Sequence, residues 1–274
     1  MVALASRVSR IEADRVVTVS PAIPPDPIAF ARACGLEPDP WQAEVLRSQA
    51  PEIILNCTRQ AGKSTVTSVL ALHEALIHPP ALVLLLSPGL RQSQELLAKV
   101  KQNLRHFPLG SARVEYESET RLRFTTGARI VSLPGTEATI RGFSGVRLLI
   151  VDEAARVPDE LYYAIRPMLA VSRGRIILLS SPFGRRGFFH SEWEKGEGWY
   201  RVRVDAYQCP RIDRRWLDGE RAKIGDWWFE QEYLCEFKDT TDQVFSSRDI
   251  DRAMSDDVKP LYLEGIDGPI AATL

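Results

Sequence analysis

The sequence has almost no net charge, few cysteines and no long apolar run. Its 274 residues include 35 lysines and arginines against 36 aspartates and glutamates, which leaves a formal net charge of −1. A chain this close to neutrality has no global positive field with which to hold nucleic acid. Any contact with DNA therefore needs a local basic patch or several subunits together, and we expect a single copy to bind DNA weakly and in a salt-sensitive way.

The four cysteines show neither a C-x-x-C pair nor the spacing of metal ligands. Cys34, Cys57, Cys209 and Cys235 are widely separated, which predicts a reducing compartment and no disulfide bonds. No segment reaches the roughly 20 consecutive apolar residues that a membrane-spanning helix requires. The N-terminal residues also lack the uninterrupted apolar stretch of a signal peptide. The sequence therefore predicts a cytosolic protein with no membrane partner.

Apolar runs rich in valine, isoleucine and leucine alternate with helical patterns along the chain. The runs lie at residues 53–57, 82–86, 129–133, 147–151 and 175–180. Runs without polar alternation are typical of strands covered on both faces, as in a parallel sheet. Helical patterns lie between most of them, at residues 63–77, 89–106 and 158–170. This alternation predicts an α/β fold, a three-layer sandwich around a central, mainly parallel sheet.

The other segments predict smaller features. The segments PIAFARACG and DPWQAEVLRSQA predict two short helices, the second capped by Asp39 with Pro40 in its first turn. Residues 112–125 alternate polar and apolar side chains around a turn, which predicts a solvent-facing hairpin. We expect a flexible N-terminal arm, an α/β core, a helical subdomain and a tail. Their predicted limits are residues 1–24, 25–205, 206–258 and 259–274.

The stretch CTRQAGKST, residues 57–65, separates a predicted strand from a predicted helix. Backbone N–H groups in such a loop and the N-terminus of the helix point at one place, which favours an anion. Gly62 lets the backbone approach a phosphate, Lys63 reaches the β- and γ-phosphates, and the Ser64 hydroxyl is placed to hold Mg²⁺. Cys57 stands where the usual pattern has its first glycine, a tolerable departure. A surface turn with a solvated lysine is the alternative.

The stretch VRLLIVDEAARVP ends a predicted buried strand on two carboxylates. Side chains at the carboxyl end of a parallel strand lie where α/β sheets bind ligands. Asp152 is placed to hold Mg²⁺, and Glu153 to polarise an attacking water. A helix cap is the alternative for this pair. Together with the loop at 57–65, the pair predicts a magnesium-dependent P-loop NTPase of the ASCE or RecA-like type, with a catalytic glutamate.

Two further stretches fit the same chemistry. Trp41 and Gln42 lie upstream of the loop, where an aromatic face and an amide predict contact with adenine and hence a preference for ATP. A core tryptophan beside a solvated glutamine is the alternative. The predicted strand at 175–180 ends in Ser180, Ser181 and Pro182, which are placed to sense hydrolysis or, alternatively, to form only a turn.

These motifs, in this order, resemble the large terminase subunit of tailed double-stranded DNA phages. The resemblance rests on DPWQ, TRQAGKS, TIRGFSG, LLIVDEAARVP and LLSSPFG, and it covers roughly residues 35–245. It implies that Lys63 and Ser64 bind phosphate and metal, that Asp152 holds the metal and that Glu153 activates water. The nucleotide-binding set that we predict comprises Trp41, Gln42, Cys57, Thr58, Arg59, Gln60, Ala61, Gly62, Lys63, Ser64 and Thr65.

The resemblance also implies a DNA-packaging motor with several partners. Such proteins form a homo-oligomeric ring, an expected pentamer, on the portal protein of a procapsid in the host cytoplasm. They drive double-stranded DNA inward and work with a small terminase subunit. Ser180, Ser181 and Pro182 would couple hydrolysis to movement. In isolation, we expect a monomer.

Two arginines compete as the residue that stabilises charge on the transferring phosphoryl group. Arg59 lies inside the loop and would act on its own subunit. Arg141, in TIRGFSG, is expected on an exposed loop from which it would reach a neighbouring subunit, and we favour this assignment with Arg59 as a phosphate contact. Arg185, Arg186 and the segment 210–216 are candidate DNA contacts, although charged runs are often only solvated faces.

Other functions remain open from the sequence. The family normally continues into a nuclease domain, but here a single Asp267 near the end cannot form a two-metal site, so we expect no DNA cleavage by this chain. A helicase-like DNA-dependent ATPase would share the loop and the Asp-Glu strand. That class needs a second motor domain, for which this length leaves no room. A nucleotide-gated assembly scaffold would not need Glu153.

Overall fold

The computed structural model describes residues 22–107, 114–135, 142–239, 249 and 252–254. Within these residues, eight strands form one sheet, and α-helices and short 3₁₀ turns surround it. The strands are β1 Glu52–Cys57, β2 Leu82–Ser87, β3 Val114–Glu117, β4 Arg121–Phe124, β5 Arg129–Pro134, β6 Val146–Asp152, β7 Arg175–Ser180 and β8 Tyr200–Val204. The helices are α1 Pro27–Ala33, α2 Pro40–Arg47, α3 Lys63–Ile77, α4 Leu90–His106, α5 Asp159–Ile165, α6 Gly187–Glu194, α7 Arg214–Ile224 and α8 Asp226–Glu232.

The sheet has the order β3-β4-β5-β2-β6-β7-β1-β8. The six strands from β5 to β8 in this order are parallel, and β3 and β4 extend the sheet as an antiparallel hairpin. Because β7 lies between β1 and β6, the loops that follow all three strands meet at one edge. This edge is where an α/β sheet of this kind binds its ligand.

Two buried clusters cover the two faces of the sheet, as the prediction of a three-layer sandwich requires. Along β1, Ile53 and Leu55 pack into the cluster under helices α1, α3 and α4, whereas Ile54 packs into the opposite cluster with α5 and α6. Burying both faces leaves no polar alternation in the central strands. The five apolar runs at 53–57, 82–86, 129–133, 147–151 and 175–180 are therefore all strands within one or two residues.

Three elements differ from the sequence prediction. Strand β8 was not predicted, because at this edge of the sheet its exposed positions carry Arg201 and Arg203 and the segment reads as polar. The hairpin at 112–125 has an exposed first strand, as expected, but its second strand pairs with β5 and enlarges the sheet. The helix predicted at 158–170 ends at Ile165 and continues only as a 3₁₀ turn, Arg166–Leu169.

Helices α7 and α8 pack around a small core of their own, formed by Ala206, Leu217 and Phe229. Among the described residues, no helix has the length and apolar character to cross a bilayer. The predicted arm at 1–24 and tail at 259–274 lie wholly or largely outside the described residues. The limits of the predicted regions stay predictions.

Candidate active site

The loop between β1 and α3 turns at Gly62, which has a positive φ of +93°. A Cβ atom at this position would lie 2.7 Å from Nε2 of Gln42, so any other residue would have to displace that side chain. Helix α3 begins immediately afterwards at Lys63, whose side chain is almost fully buried. The backbone conformation and the crowding behind the loop both explain the requirement for glycine.

Gln42 lies behind this loop and holds it. Its side-chain oxygen accepts a hydrogen bond from the backbone N–H of Asp39 at 2.9 Å, and its Nε2 donates to the carbonyl of Gly62 at 3.4 Å. Only 2% of Gln42 is exposed, and both the oxygen and the nitrogen of its side-chain amide bond to the protein backbone. Trp41 packs half-buried against the main core, with its Nε1 lacking a partner among the described residues. Contact of this pair with adenine stays a prediction.

The start of α3 and the end of β6 meet, as the motifs predict. The Ser64 hydroxyl donates to Oδ2 of Asp152 at 3.2 Å, although 88 positions separate the two residues. Burial raises the pKa of the Asp152 carboxyl, and the neighbouring charge of Glu153 raises it further, while Lys63 opposes the rise. A cation bound between these oxygens would relieve that cost, because it would stabilise the charged carboxylate.

A hydroxyl and one carboxylate are oxygen ligands of the kind that magnesium accepts. Hard oxygen ligands are what Mg²⁺ prefers, and it is usually held by one or two carboxylates together with substrate phosphates. Ser64 and Asp152 provide that partial set. Among the described residues, no group of three or more histidine, cysteine, aspartate or glutamate side chains is placed to hold a metal alone. The site therefore fits a metal that arrives with phosphate.

Glu153 has a left-handed backbone (φ 52°, ψ 41°), which is costly for a residue with a side chain and is typical of functional sites. Two cations hold its carboxylate. Nζ of Lys63 lies 3.7 Å from one oxygen, and Nη1 of Arg156 lies 3.1 Å from the other. The sequence did not single out Arg156, because an arginine three residues after a carboxylate looks like an ordinary surface pair.

The loop is also joined to helix α8. The Thr58 hydroxyl donates to the carbonyl of Glu232 at 2.9 Å, and Asn56 donates through Nδ2 to the carbonyl of Cys235 at 2.9 Å. The Glu232 carboxylate accepts from Nε of Arg59 at 2.8 Å. This contact brings Arg59, the candidate finger within the loop, to the helical region.

Not every predicted residue of the loop presents its side chain to a ligand. Cys57 and Ala61 are fully buried, and burial raises the pKa of the Cys57 thiol to about 12. The side chain of Thr58 is hydrogen-bonded to the carbonyl of Glu232 in helix α8. These three positions leave only their backbone for a phosphate. Gln60, with a positive φ of 63°, and Thr65 line the cavity beside the loop.

Ser180 ends strand β7, and Ser181 follows it, between the phosphate loop and the Asp152 carboxylate. Both are fully buried, and neither hydroxyl has a hydrogen-bond partner among the described residues. The hydroxyls of Ser87 and Ser132 share this property, so it does not single out the end of β7. Pro182 comes next. The guanidinium of Arg156 lies over the ring of the following residue, Phe183, 4.5 Å from the ring centroid.

A cavity of about 850 Å³ opens at this edge of the sheet. It is lined by Arg59, Gln60, Gly62, Lys63, Ser64, Thr65, Lys99, Glu153, Arg211, Ile212, Asp213 and Trp216. A volume of this order suits a nucleotide. The sequence indicated the half of the cavity that comes from 59–65 and Glu153. It did not indicate Lys99, and it assigned the segment 210–216 to DNA contact, whereas residues 211–213 and 216 line this cavity.

Two of the arginines that are candidates for DNA contact form hydrogen bonds to other residues of the chain. Arg211 makes two hydrogen bonds to the Asp39 carboxylate, at 3.0 and 2.8 Å, and a third to the carbonyl of Ala61. Arg185 donates to the carbonyl of Phe237. The guanidinium of Arg186 lies over the ring of Phe183. Arg141 lies outside the described residues, which resume at Gly142, so its position stays a prediction.

Comparison with known proteins assigns these motifs to one family. A family model described as the N-terminal part of the T4-like type of terminase large subunit matches residues 54–252. The large terminase subunit of Thermus virus P23-45 is 27% identical over 257 residues, which covers 81% of this chain and 53% of that protein. The chain thus spans about half the length of the curated relatives it matches.

Solved structures have the same fold. The ATPase domain of the large terminase of Thermus phage P74-26 superposes with a TM-score of 0.67 at 23% identity, covering 76% of this chain and 97% of that domain. The large terminase of a thermophilic bacteriophage, solved in complex with ATP-γ-S, gives a TM-score of 0.59 at 12% identity, covering 72% of this chain and 52% of that one. The predicted P-loop NTPase fold is confirmed.

Proposed function

The chain belongs to the family of terminase large subunits, and we propose on this premise that it hydrolyses ATP to move viral double-stranded DNA into a procapsid through the portal. One observation carries the proposal. Lys63 lies 3.7 Å from Glu153 and Ser64 lies 3.2 Å from Asp152, and Lys63, Ser64 and Glu153 line a single cavity. A set of phosphate-binding, metal-binding and basic groups in one cavity is what phosphoryl transfer to water requires.

The phosphate end of the site is formed by the loop and the first turn of α3. Gly62 allows the backbone N–H groups to approach a triphosphate, and Lys63 carries its charge in a nearly buried position at the wall of the cavity. Charge-assisted hydrogen bonds are stronger in such surroundings than in water. Lys63 lies 3.7 Å from an oxygen of Glu153, and we infer that phosphate oxygens take the place of this partner when ATP binds.

Ser64 and Asp152 are the residues that would hold Mg²⁺. A bound magnesium ion would supply neutralisation of charge on the phosphate oxygens. Glu153 is placed to accept a proton from the attacking water, and its contact with Arg156 fixes the direction in which the carboxylate points. Ser180, Ser181 and Pro182, at the end of the strand between these groups, are proposed to report the loss of the γ-phosphate to the helical region. We assign ATP hydrolysis to the predicted core, residues 25–205, and the movement that follows it to the predicted helical subdomain, residues 206–258.

Replacing Arg156 with methionine should lower the turnover number for ATP by about tenfold, because general-base catalysis depends on the orientation of the base. The Michaelis constant should stay within about threefold of wild type, since Arg156 does not line the cavity. Steady-state ATPase kinetics measure both. Arg156→Lys should restore part of the turnover. Arg186→Met is the matched control, because Arg186 also stacks on Phe183. Equal turnover in Arg156→Met and wild type would contradict the positioning role.

The active form is proposed to be a homo-oligomeric ring, a pentamer, in which Arg141 of one subunit completes the site of the next. Arg59 would contact phosphate within its own subunit. The ring would sit on the portal protein, with the small terminase subunit delivering DNA in the host cytoplasm. DNA contacts are not assigned to particular residues, because Arg185 and Arg211 are already bonded within the chain.

The proposed function is tested by the dependence of the ATPase rate on protein, DNA and metal. The rate per molecule should rise with protein concentration and on addition of double-stranded DNA, and it should vanish in excess EDTA. Arg141→Ala should remain inactive at high concentration while it still binds ATP-γ-S. A rate that does not change on dilution, together with full activity of Arg141→Ala, would refute donation of the finger by a neighbouring subunit. Absence of ATPase activity in all of these conditions would refute the proposal that this chain hydrolyses ATP.

A further inference from the structure

The lining of the cavity combines two kinds of side chain. Four of its side chains are cationic, those of Arg59, Lys63, Lys99 and Arg211. The large apolar side chains of the lining, Ile212 and Trp216, both come from one short segment before and within α7. A nucleotide has the same division, since a triphosphate is polar and charged and a base is flat and largely apolar.

Arg211 places the segment that follows it beside the phosphate loop. Its guanidinium donates to the carbonyl of Ala61 at 2.8 Å and would lie 3.5 Å from a Cβ atom at Gly62. The segment 212–216 therefore starts directly beside the loop, and its Ile212 and Trp216 line the same cavity. A ligand whose phosphates occupy the loop shares this cavity with both side chains.

The ring of Trp216 is available and held in place. Its side chain is half exposed, and it packs against Tyr233 with ring centroids 5.8 Å apart at an angle of 68°. Its backbone N–H donates to the Asp213 carboxylate at 3.0 Å, which caps helix α7. An indole that is fixed and open to a cavity is suited to stack on a base, because aromatic stacking needs a flat face but no particular hydrogen bonds.

The residues that the sequence indicates for the base are placed differently. Gln42 lies behind the loop, and both functions of its amide are bonded to the protein backbone. Trp41 packs against the main core and is absent from the lining. Neither side chain faces the cavity in this structure. We propose that Trp216, supported by Ile212, is the surface on which the base of the nucleotide stacks, an inference that rests on the proposed ATPase function.

Binding measurements by isothermal titration calorimetry, with and without the base, test this assignment. The probes are ATP-γ-S and inorganic tripolyphosphate, each with Mg²⁺. Trp216→Ala should weaken ATP-γ-S about tenfold or more, as expected for the loss of one stacking contact, and should leave tripolyphosphate within about twofold, since it has no base to stack. Trp216→Phe should retain most of the affinity for ATP-γ-S. Trp228→Ala is the matched control, because Trp228 lies on the adjacent helix with equal exposure, 51% against 50%, and does not line the cavity.

The outcomes separate this inference from the proposed function. If wild type binds ATP-γ-S and Trp216→Ala binds it equally well, the base does not stack on Trp216. If Trp216→Ala loses tripolyphosphate to the same extent as ATP-γ-S, the substitution acts on the phosphate loop and the assignment is again wrong. If wild type binds tripolyphosphate but gains nothing from the base, the inference fails while the phosphate site stands. A wild type that binds neither probe overturns the proposed ATPase itself.

Discussion

Replacing Glu153 with glutamine should lower the turnover of ATP by about 10³-fold, within the range expected for loss of a general base. Glutamine keeps the size of the side chain and can still face Arg156, but it cannot accept a proton from water. Affinity for ATP-γ-S should therefore remain within a few-fold of wild type. A phosphate-release assay and calorimetry measure the two quantities on the same preparation.

The matched control for this variant is Glu160→Gln, in helix α5, where the side chain is exposed and lies outside the cavity. It should leave both turnover and affinity unchanged. If Glu153→Gln turned over ATP at the wild-type rate, the chain would bind nucleotide without using this carboxylate, and the scaffold function would become the better explanation.

Replacing Lys63 with alanine should weaken binding of ATP-γ-S by about 100-fold or more. The ammonium is nearly buried, with 8% of the side chain exposed, and a charge-assisted hydrogen bond in such a place contributes roughly 1.5–3 kcal/mol each time it is made. Lys63 is expected to make more than one bond to phosphate, so the effects add. Tripolyphosphate should be weakened as strongly as the nucleotide, since this contact does not involve the base.

Lys195→Ala, an exposed lysine after helix α6, is the control for loss of one positive charge, and its affinity should match wild type. Loss of Lys63 also removes one of the two cations beside Glu153. A thermal melt without ligand therefore accompanies the titration, to show that the variant is folded. A folded Lys63→Ala with wild-type affinity would refute the assignment of the cavity as a triphosphate site.

The sequence predicted those parts of the fold in which the residue types directly reflect how deeply the segment is buried. Central strands such as β1 are buried on both faces, so they appear as continuous apolar runs. The edge strand β8 carries Arg201 and Arg203 on alternate positions and lacks that signal. The loop and the Asp-Glu pair were recognisable because their chemistry requires particular residue types at fixed spacing.

The residues of the cavity that the sequence did not predict lie in no sequence pattern that is typical of a nucleotide site. Trp216 and Arg211 belong to the segment 210–216, whose charge predicted a DNA contact, and only the packing of the helical region brings it to the loop. Gln42 was predicted from its place before the loop, yet its amide faces Gly62 from behind. Sequence position shows that two segments are close, but not which side of a loop a side chain occupies.

The phosphate loop and the end of β1 are held to the end of α8 and the residues after it by two kinds of acceptor. Thr58 and Asn56 donate to the main-chain carbonyls of Glu232 and Cys235, and every amino acid supplies such an oxygen. Arg59 instead relies on the Glu232 carboxylate. A substitution at position 232 would therefore remove the ion pair of Arg59 but keep both bonds to main-chain carbonyls. The loop would stay attached to the helical region while Arg59 lost its carboxylate partner.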